Sequence, residues 1–186
     1  MTEKEKMLAG MIYDANYDAA LIEERMRCKE MCRDYNMLRP SDTAGRDAQL
    51  RRMLGRVGRA IIIEQPFYCD YGYNISVGDN FYANVNLVVL DGAPVTFGDN
   101  VFVAPNCGFY TAGHPLDPAE RNKGLEYARP ITVGNNVWIG AGVSVLPGVT
   151  IGDNCVIGAG SVVNRDIPAG TMAAGNPCKV IKQIKI

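Results

Sequence analysis

From Val133 onward, every sixth residue is a β-branched aliphatic: Val133, Ile139, Val145, Ile151, Ile157 and Val163. The next position in each hexad is Gly134, Gly140, Leu146, Gly152, Gly158 or Asn164, and four beyond each aliphatic stand Val137, Val143, Val149, Cys155, Ser161 and Ile167. An earlier block runs Val77, Ala83 and Val89, slips by two residues at Val95-Thr96, and resumes as Phe97, Val103 and Phe109, which makes twelve hexads. A helical period of about 3.6 or 3.5 cannot hold a strict six-residue repeat over this distance. The repeat predicts a β-helix: one aliphatic per hexad points inward, and the small residue beside it lets the chain turn a corner. Three hexads close one triangular coil, so twelve give about four coils.

Upstream, the spacing is helical. Apolar residues at 21, 22, 26, 31 and 35 alternate with charges, predicting an amphipathic helix that starts after an N-cap at Asp18 and stops before Pro40. A second helical segment over about 43–57 carries Leu50, Met53, Leu54 and Val57 on one face. The chain therefore reads as an all-β solenoid with an N-terminal α-helical cap. The cap is residues 1–60 and the β-helix residues 61–186, including a C-terminal tail. The repeat breaks over 113–130, where a Pro- and Gly-containing polar insert predicts an excursion loop. Inserts on a solenoid tend to lie on its functional face.

Composition narrows the chemistry. Nineteen Lys+Arg against twenty Asp+Glu leave a net charge of -1, which gives no support for nucleic-acid binding. No run of 18 apolar residues predicts a membrane span, and MTEKEKMLAG has no signal-peptide core, so the expected location is cytoplasmic. Six cysteines, at 28, 32, 69, 107, 155 and 178, are then expected as reduced thiols. Cys28 and Cys32 share a helical face but have no CxxC or HxxxH partner pair in sequence, so they read as small buried hydrophobes and no metal is expected. One histidine, His114, excludes any site built on two or three imidazoles, a β-helical carbonic anhydrase included. It stands between Gly113 and Pro115 where the repeat breaks, well placed to act as a general base.

The segments CDYGYNISVGDNFYANVN (69–86), TAGHPLDPAERN (111–122), PITVGNNVWIGAGV (130–143), PGVTIGDN (147–154) and AAGNPCKVIK (173–182), with the N-terminal KEKMLAGMIYDA, resemble the maltose and galactoside O-acetyltransferases. CDYGYNI and HPLDP look nearer the maltose branch. The resemblance implies a left-handed β-helix, a homotrimer with sites between subunits, and direct acetyl transfer from acetyl-CoA to a sugar hydroxyl. It makes His114 the base, Asn84 a residue near base and acceptor, and the Ala141 backbone N–H the oxyanion donor. Asp70, Glu126 and Arg25 become acceptor-side candidates, and Tyr82 and Tyr73 a sugar-facing surface. Asn16, Asp14 and Asp18 compete for one acidic or polar acceptor contact, and Asp91 has an equal reading as a turn residue. For acetyl-CoA the candidates are Ala141, Ala159, Asn164, Arg165, Lys179 and Lys182. Where the family often has Thr-Lys this chain has Asn164-Arg165, which keeps the charge. Trp138 fits an interface or the pantetheine arm. The alternatives are another acceptor (an oligosaccharide, antibiotic or amine) or an inactive β-helix scaffold.

Overall fold

In the computed structural model, which describes residues 1–185, the hexad aliphatics point inward and their short strands stack into three parallel sheets. The first face holds Arg56–Val57, Ile75–Val77, Val95–Phe97, Ile131–Val133 and Thr150–Ile151. The second holds Ile62–Ile63, Tyr82–Ala83, Phe102–Val103, Trp138–Ile139, Val156–Ile157 and Thr171–Ala174, and is closed by the antiparallel strand Lys179–Gln183. The third holds Phe67–Cys69, Leu87–Leu90, Gly108–Tyr110, Ser144–Val145 and Val162–Val163. Five coils close on all three faces, and a sixth begins at Ile167, bridged to Ile151. The additional first coil lies upstream of the hexads read from sequence. Its Val57, Ile63 and Cys69 keep the six-residue spacing, but Val57 falls within the segment assigned to the cap.

Stacked partners in the early coils are 20 residues apart, as with Asn80 and Asn100, whereas later partners are 18 apart, as with Asn136 and Asn154. The extra pair sits at the corner after the third face, between Cys69 and Val77 and again between Val89 and Phe97. That corner is thereby widened into a shelf that presents Asp70, Tyr71 and Gly92, with Asp91 buried beneath them.

The turning mechanism differs from the sequence expectation. Positive φ at the corners falls on Ala60, on Gly72, Gly142, Gly148 and Gly160, and most often on asparagine, at Asn80, Asn86, Asn100, Asn106, Asn136 and Asn154, a residue that tolerates the left-handed region. Their amides form ladders: Asn80 donates to Asn100 at 2.8 Å, Asn100 to Asn136 at 3.1 Å and Asn136 to Asn154 at 3.0 Å. The glycine after the aliphatic serves close approach instead. A Cβ on Gly98 would lie 2.8 Å from the Gly134 backbone in the next coil. Inside, Phe81, Phe97 and Phe109 stack with centroids 5.0 and 4.8 Å apart, the second pair edge-to-face.

An open β-helix end exposes its core and unpaired strand edges. Helices α1 (Glu3–Leu8), α2 (Ala19–Met37) and α3 (Thr43–Met53) precede the first coil, and α2 and α3 close that end. Asp18 caps α2 by accepting from the Leu21 N–H at 2.9 Å. Its buried seam is Leu21, Cys28, Cys32 and Tyr35. Ile22 and Met26, assigned to the apolar face from sequence, are 39% and 56% exposed, because the two cysteines take up the apolar contact. Helix α3 ends at Met53, short of the 57 expected, and Val57 is already in a strand.

The excursion is ordered. Ala112–Gly113 and Leu125–Ala128 pair antiparallel, and Tyr13–Asp14 adds a third strand, with Tyr13 opposite Glu126. A short helix α4 (Pro118–Arg121) forms the tip, capped by Asp117. Gly113 makes room for Tyr127, whose ring would lie 2.5 Å from an added Cβ.

Candidate active site

The ribbon, the shelf and α2 enclose a cleft of about 140 Å³ lined by Tyr13, Asn16, Arg25, Lys29, Asp70 and Glu126, among others. Arg25 reaches across from α2, donating to the Tyr71 hydroxyl at 2.7 Å and to the Ala15 carbonyl. Burial pushes the Asp70 carboxyl above its usual range, against the pull of Arg25 and Lys29. Burial likewise pushes the Tyr71 phenol up to about 12 and raises that of Tyr13, keeping both as hydroxyl groups. The Tyr13 hydroxyl donates to Glu126 Oε2 at 3.1 Å. Two cations, two carboxyls and two phenols facing one another suit a ligand rich in hydroxyls.

His114 borders this cleft. Its Nδ1 donates to the Leu125 carbonyl at 3.0 Å, so the orienting group is a backbone oxygen of the opposing ribbon strand. A carbonyl can only accept, so Nδ1 carries the proton and the neutral ring keeps a lone pair on Nε2. Nε2 lies 3.9 Å from Glu126 Oε1, on the cleft side.

The N-terminal alternatives separate by what each side chain does. Asn16 lines the cleft. Asp14 accepts from the backbone of Asn16 and Tyr17 at 3.1 and 2.9 Å, and Asp18 is the helix cap. Asp91 takes the turn role. It is fully buried, and its Oδ1 accepts from the backbone N–H groups of Asp70 and Tyr71 at 3.0 and 2.8 Å, so it supports the shelf from beneath. Tyr73 does not face the cleft: its hydroxyl donates to Glu24 at 2.7 Å, with Lys4 over its ring. Tyr82 is on the second face, away from the shelf. Lys29, Tyr13 and Tyr71 line the cleft without having been singled out by sequence, since no periodicity marks residues that meet only through the ribbon.

Asp91 Oδ2 has no hydrogen-bond partner, and burial pushes the carboxyl from its ordinary 3.8 up to about 6. A folded-state value above the unfolded one favours folding below about pH 4, and that contribution is lost as pH rises through 6. At pH 8 the ionised group therefore costs on the order of 3 kcal/mol relative to its neutral form. Asp91→Asn stays neutral, so its stability relative to wild type is expected to rise by about that amount between pH 4 and 8. Urea unfolding at the two pH values measures this, and parallel changes in both proteins would contradict it.

The remaining candidates fall elsewhere on the solenoid. Asn84, Ala141 and Ala159 lie along the corner between the second and third faces. Gly140 and Gly142 donate to Ile157 and Pro105, and Gly158 and Gly160 to Ala173 and Ala141. The exposed Ala141 and Ala159 between them have N–H groups without an acceptor among the described residues. Asn164, Arg165 and Lys179 meet in a cleft of about 420 Å³ at the C-terminal end, whereas Lys182 pairs with Met172 in the closing strand and does not line it. His114 leaves from the opposite edge of the third face to Asn84 and Ala141, a separation on the order of 15 Å within one chain.

Hexads wound into three faces, with a cap and a polar cleft beside an oriented imidazole, define a hexapeptide-repeat acyltransferase. A family model described as the maltose acetyltransferase hexapeptide capping motif matches residues 6–58, and one described as bacterial transferase hexapeptide (six repeats) matches 130–165. The crystal structure of a maltose O-acetyltransferase from Clostridium difficile 630 is similar at 53% identity and a TM-score of 0.98, covering 100% of this chain and 99% of that one. A galactoside acetyltransferase in complex with coenzyme A is 45% identical with a TM-score of 0.95, covering 100% and 92%. A hexapeptide-repeat acetyltransferase from Vibrio cholerae O1 biovar eltor, complexed with acetyl coenzyme A, is 38% identical with a TM-score of 0.92, covering 100% of both chains. The chain belongs to the maltose and galactoside O-acetyltransferase family, and its fold is that family's left-handed parallel β-helix. It is an acetyltransferase.

Proposed function

We propose that this enzyme transfers acetyl from acetyl-CoA to a hydroxyl, the primary 6-hydroxyl in the first instance, of glucose, maltose or a related glycoside. The carrying observation is the His114 ring, held through Nδ1 with Nε2 toward a cleft of mixed donors and acceptors. Nε2 takes the hydroxyl proton as the oxygen attacks the thioester carbon. The new C–O bond forms, the C–S bond breaks, and the proton passes to the departing thiolate. A backbone N–H stabilises the oxyanion meanwhile, and the unpaired Ala141 N–H is the donor we assign. A cysteine acyl-enzyme is disfavoured because all six thiols are buried and the one imidazole is committed to the acceptor.

Because the base and the oxyanion donor lie on opposite edges of one face, we propose that a neighbouring subunit supplies Asn84, Ala141 and Ala159 to this His114, in a homotrimer. The faces differ in a way that supports assembly. Outward residues of the first face are Arg56, Ser76, Thr96, Thr132 and Thr150, whereas the second exposes Ile62, Phe102 and Trp138 at 48%, 44% and 57%. Six unpaired cysteines suit a reducing compartment, the cytoplasm. No helix among the described residues is long and apolar enough to cross a membrane.

The C-terminal cleft with Asn164, Arg165 and Lys179 fits the phosphates of coenzyme A, with Lys182 further out. Lys179→Ala is expected to raise the KM for acetyl-CoA by about 10-fold with little change in that for sugar, since an exposed cation contact to phosphate is worth roughly 1–1.5 kcal/mol. Steady-state kinetics with each substrate varied tests it, and a selective rise in the sugar KM would move Lys179 to the acceptor side.

A further inference from the structure

We propose that Cys28, Cys32 and Cys69 form a binding site for one soft, thiophilic metal ion, at the junction of the cap and the first coil. Cys28 and Cys32 are one helical turn apart on α2, and Cys69 ends the strand Phe67–Cys69. The Cys69 sulfur lies 3.5 Å from that of Cys28 and 3.7 Å from that of Cys32, and all three lie within 4.8 Å of one another. A tetrahedral ion with metal–sulfur bonds of about 2.3 Å spaces its sulfurs about 3.8 Å apart. The three thiols thus already stand at the spacing one ion requires. The Met53 thioether, from α3, lies 3.6 Å from the Cys32 sulfur as a fourth soft group.

Buried thiols that serve only as small hydrophobes have no reason to converge, and the protein supplies the contrast. Cys107 and Cys155 stand apart from other thiols and donate to carbonyls, of Gly140 at 3.1 Å and Pro168 at 3.2 Å. The three clustered thiols instead have one another's sulfurs as neighbours, with a single distant carbonyl, that of Cys69, 3.8 Å from Cys28. An approach route exists. A cleft of about 360 Å³ is lined by Cys32 and Cys69 together with Lys29, Arg33, Tyr68 and Asp70. Lys29 and Arg33 outnumber the single acidic group, Asp70, in its lining and so offset part of the negative charge that thiolates bring. Each thiol that binds releases its proton to solvent. Sulfur-only donors select Cu(I) or Zn²⁺ over Mg²⁺ or Ca²⁺. A bound ion would tie α2 to the strand that leads into Asp70, stiffening one wall of the acceptor cleft. The sequence conceals the site because its third ligand is supplied by a strand far from the helix.

The test is a titration of reduced, chelator-treated full-length protein with Cd²⁺, followed by thiolate-to-metal charge-transfer absorption, then repeated with Zn²⁺ as competitor. The expected result is a break at one ion per chain that Zn²⁺ reverses. Cys69→Ala should weaken Cd²⁺ binding by at least about 10²-fold, beyond the 10–100-fold cost of losing a merely supporting group, while Cys107→Ala keeps the wild-type break. Because Cys69→Ala could disturb packing, alkylation of the wild-type protein supplies a second readout: one equivalent of Cd²⁺ should protect Cys28, Cys32 and Cys69 together. No break at one equivalent, or no protection of the three thiols, overturns the proposal. So does a loss of two hydrogens with no metal bound, which would identify a disulfide-forming pair instead. None of these outcomes bears on acetyl transfer.

Discussion

His114→Ala is expected to lower kcat by at least about 10²-fold while leaving the fold and the acetyl-CoA affinity intact. A sugar hydroxyl is a weak nucleophile unless its proton leaves as the bond forms. The only imidazole in the chain stands at the cleft with its tautomer fixed by the Leu125 carbonyl. The side chain is half exposed at the edge of the ribbon, so its removal leaves no core cavity. The loss should therefore appear in turnover and not in melting temperature. The kinetics of coenzyme A release by the variant, alongside its thermal unfolding, checks both halves. Unchanged turnover would remove His114 from the chemistry.

The second large effect concerns where the site is assembled. His114→Ala and Asn84→Ala subunits, each inactive alone, are expected to recover about a quarter of wild-type activity when unfolded together and reassembled in equal amounts. With random association, about one site in four receives an intact His114 from one subunit and an intact Asn84 from its neighbour. A site built within one chain gives no recovery, because every chain carries one lesion. Activity is measured on the mixture and on each variant refolded alone. Recovery no greater than the sum of the two would contradict the shared site. The apolar second face, with Ile62, Phe102 and Trp138 outward, is the surface through which that assembly would be held.

Most of the scaffold is legible in the chain because its rule is local. A hexad aliphatic points inward whatever happens elsewhere, so Val133 to Val163 announce their coils unaided. The first coil is hidden because Val57, Ile63 and Cys69 follow directly on a helix, and three matches among Arg, Gly and Pro do not stand out. Four of the corner asparagines, Asn80, Asn100, Asn136 and Asn154, are visible in GDN and GNN triplets, but their positive φ and amide ladders become apparent only when coils are stacked. The candidate site is legible where a break in the repeat marks it, at His114, and not where side chains meet across the fold. Arg25 with Tyr71, Glu126 with Tyr13, and Cys28 with Cys69 are joined by the cap and the ribbon, which bring together residues separated by 46, 113 and 41 positions. Asp91 shows the same limit in reverse: a carboxylate beside the candidate cleft turns out to hold the backbone of the shelf, because its oxygen is hydrogen-bonded to the N–H groups of Asp70 and Tyr71.

Acetyl transfer to a sugar hydroxyl is tested by thiol release from acetyl-CoA, measured with glucose, maltose, a galactoside, chloramphenicol and no acceptor. Release is expected to depend on a sugar and to exceed the no-acceptor rate for at least one of the three. Release with chloramphenicol alone, or at one rate whatever is added, would contradict it.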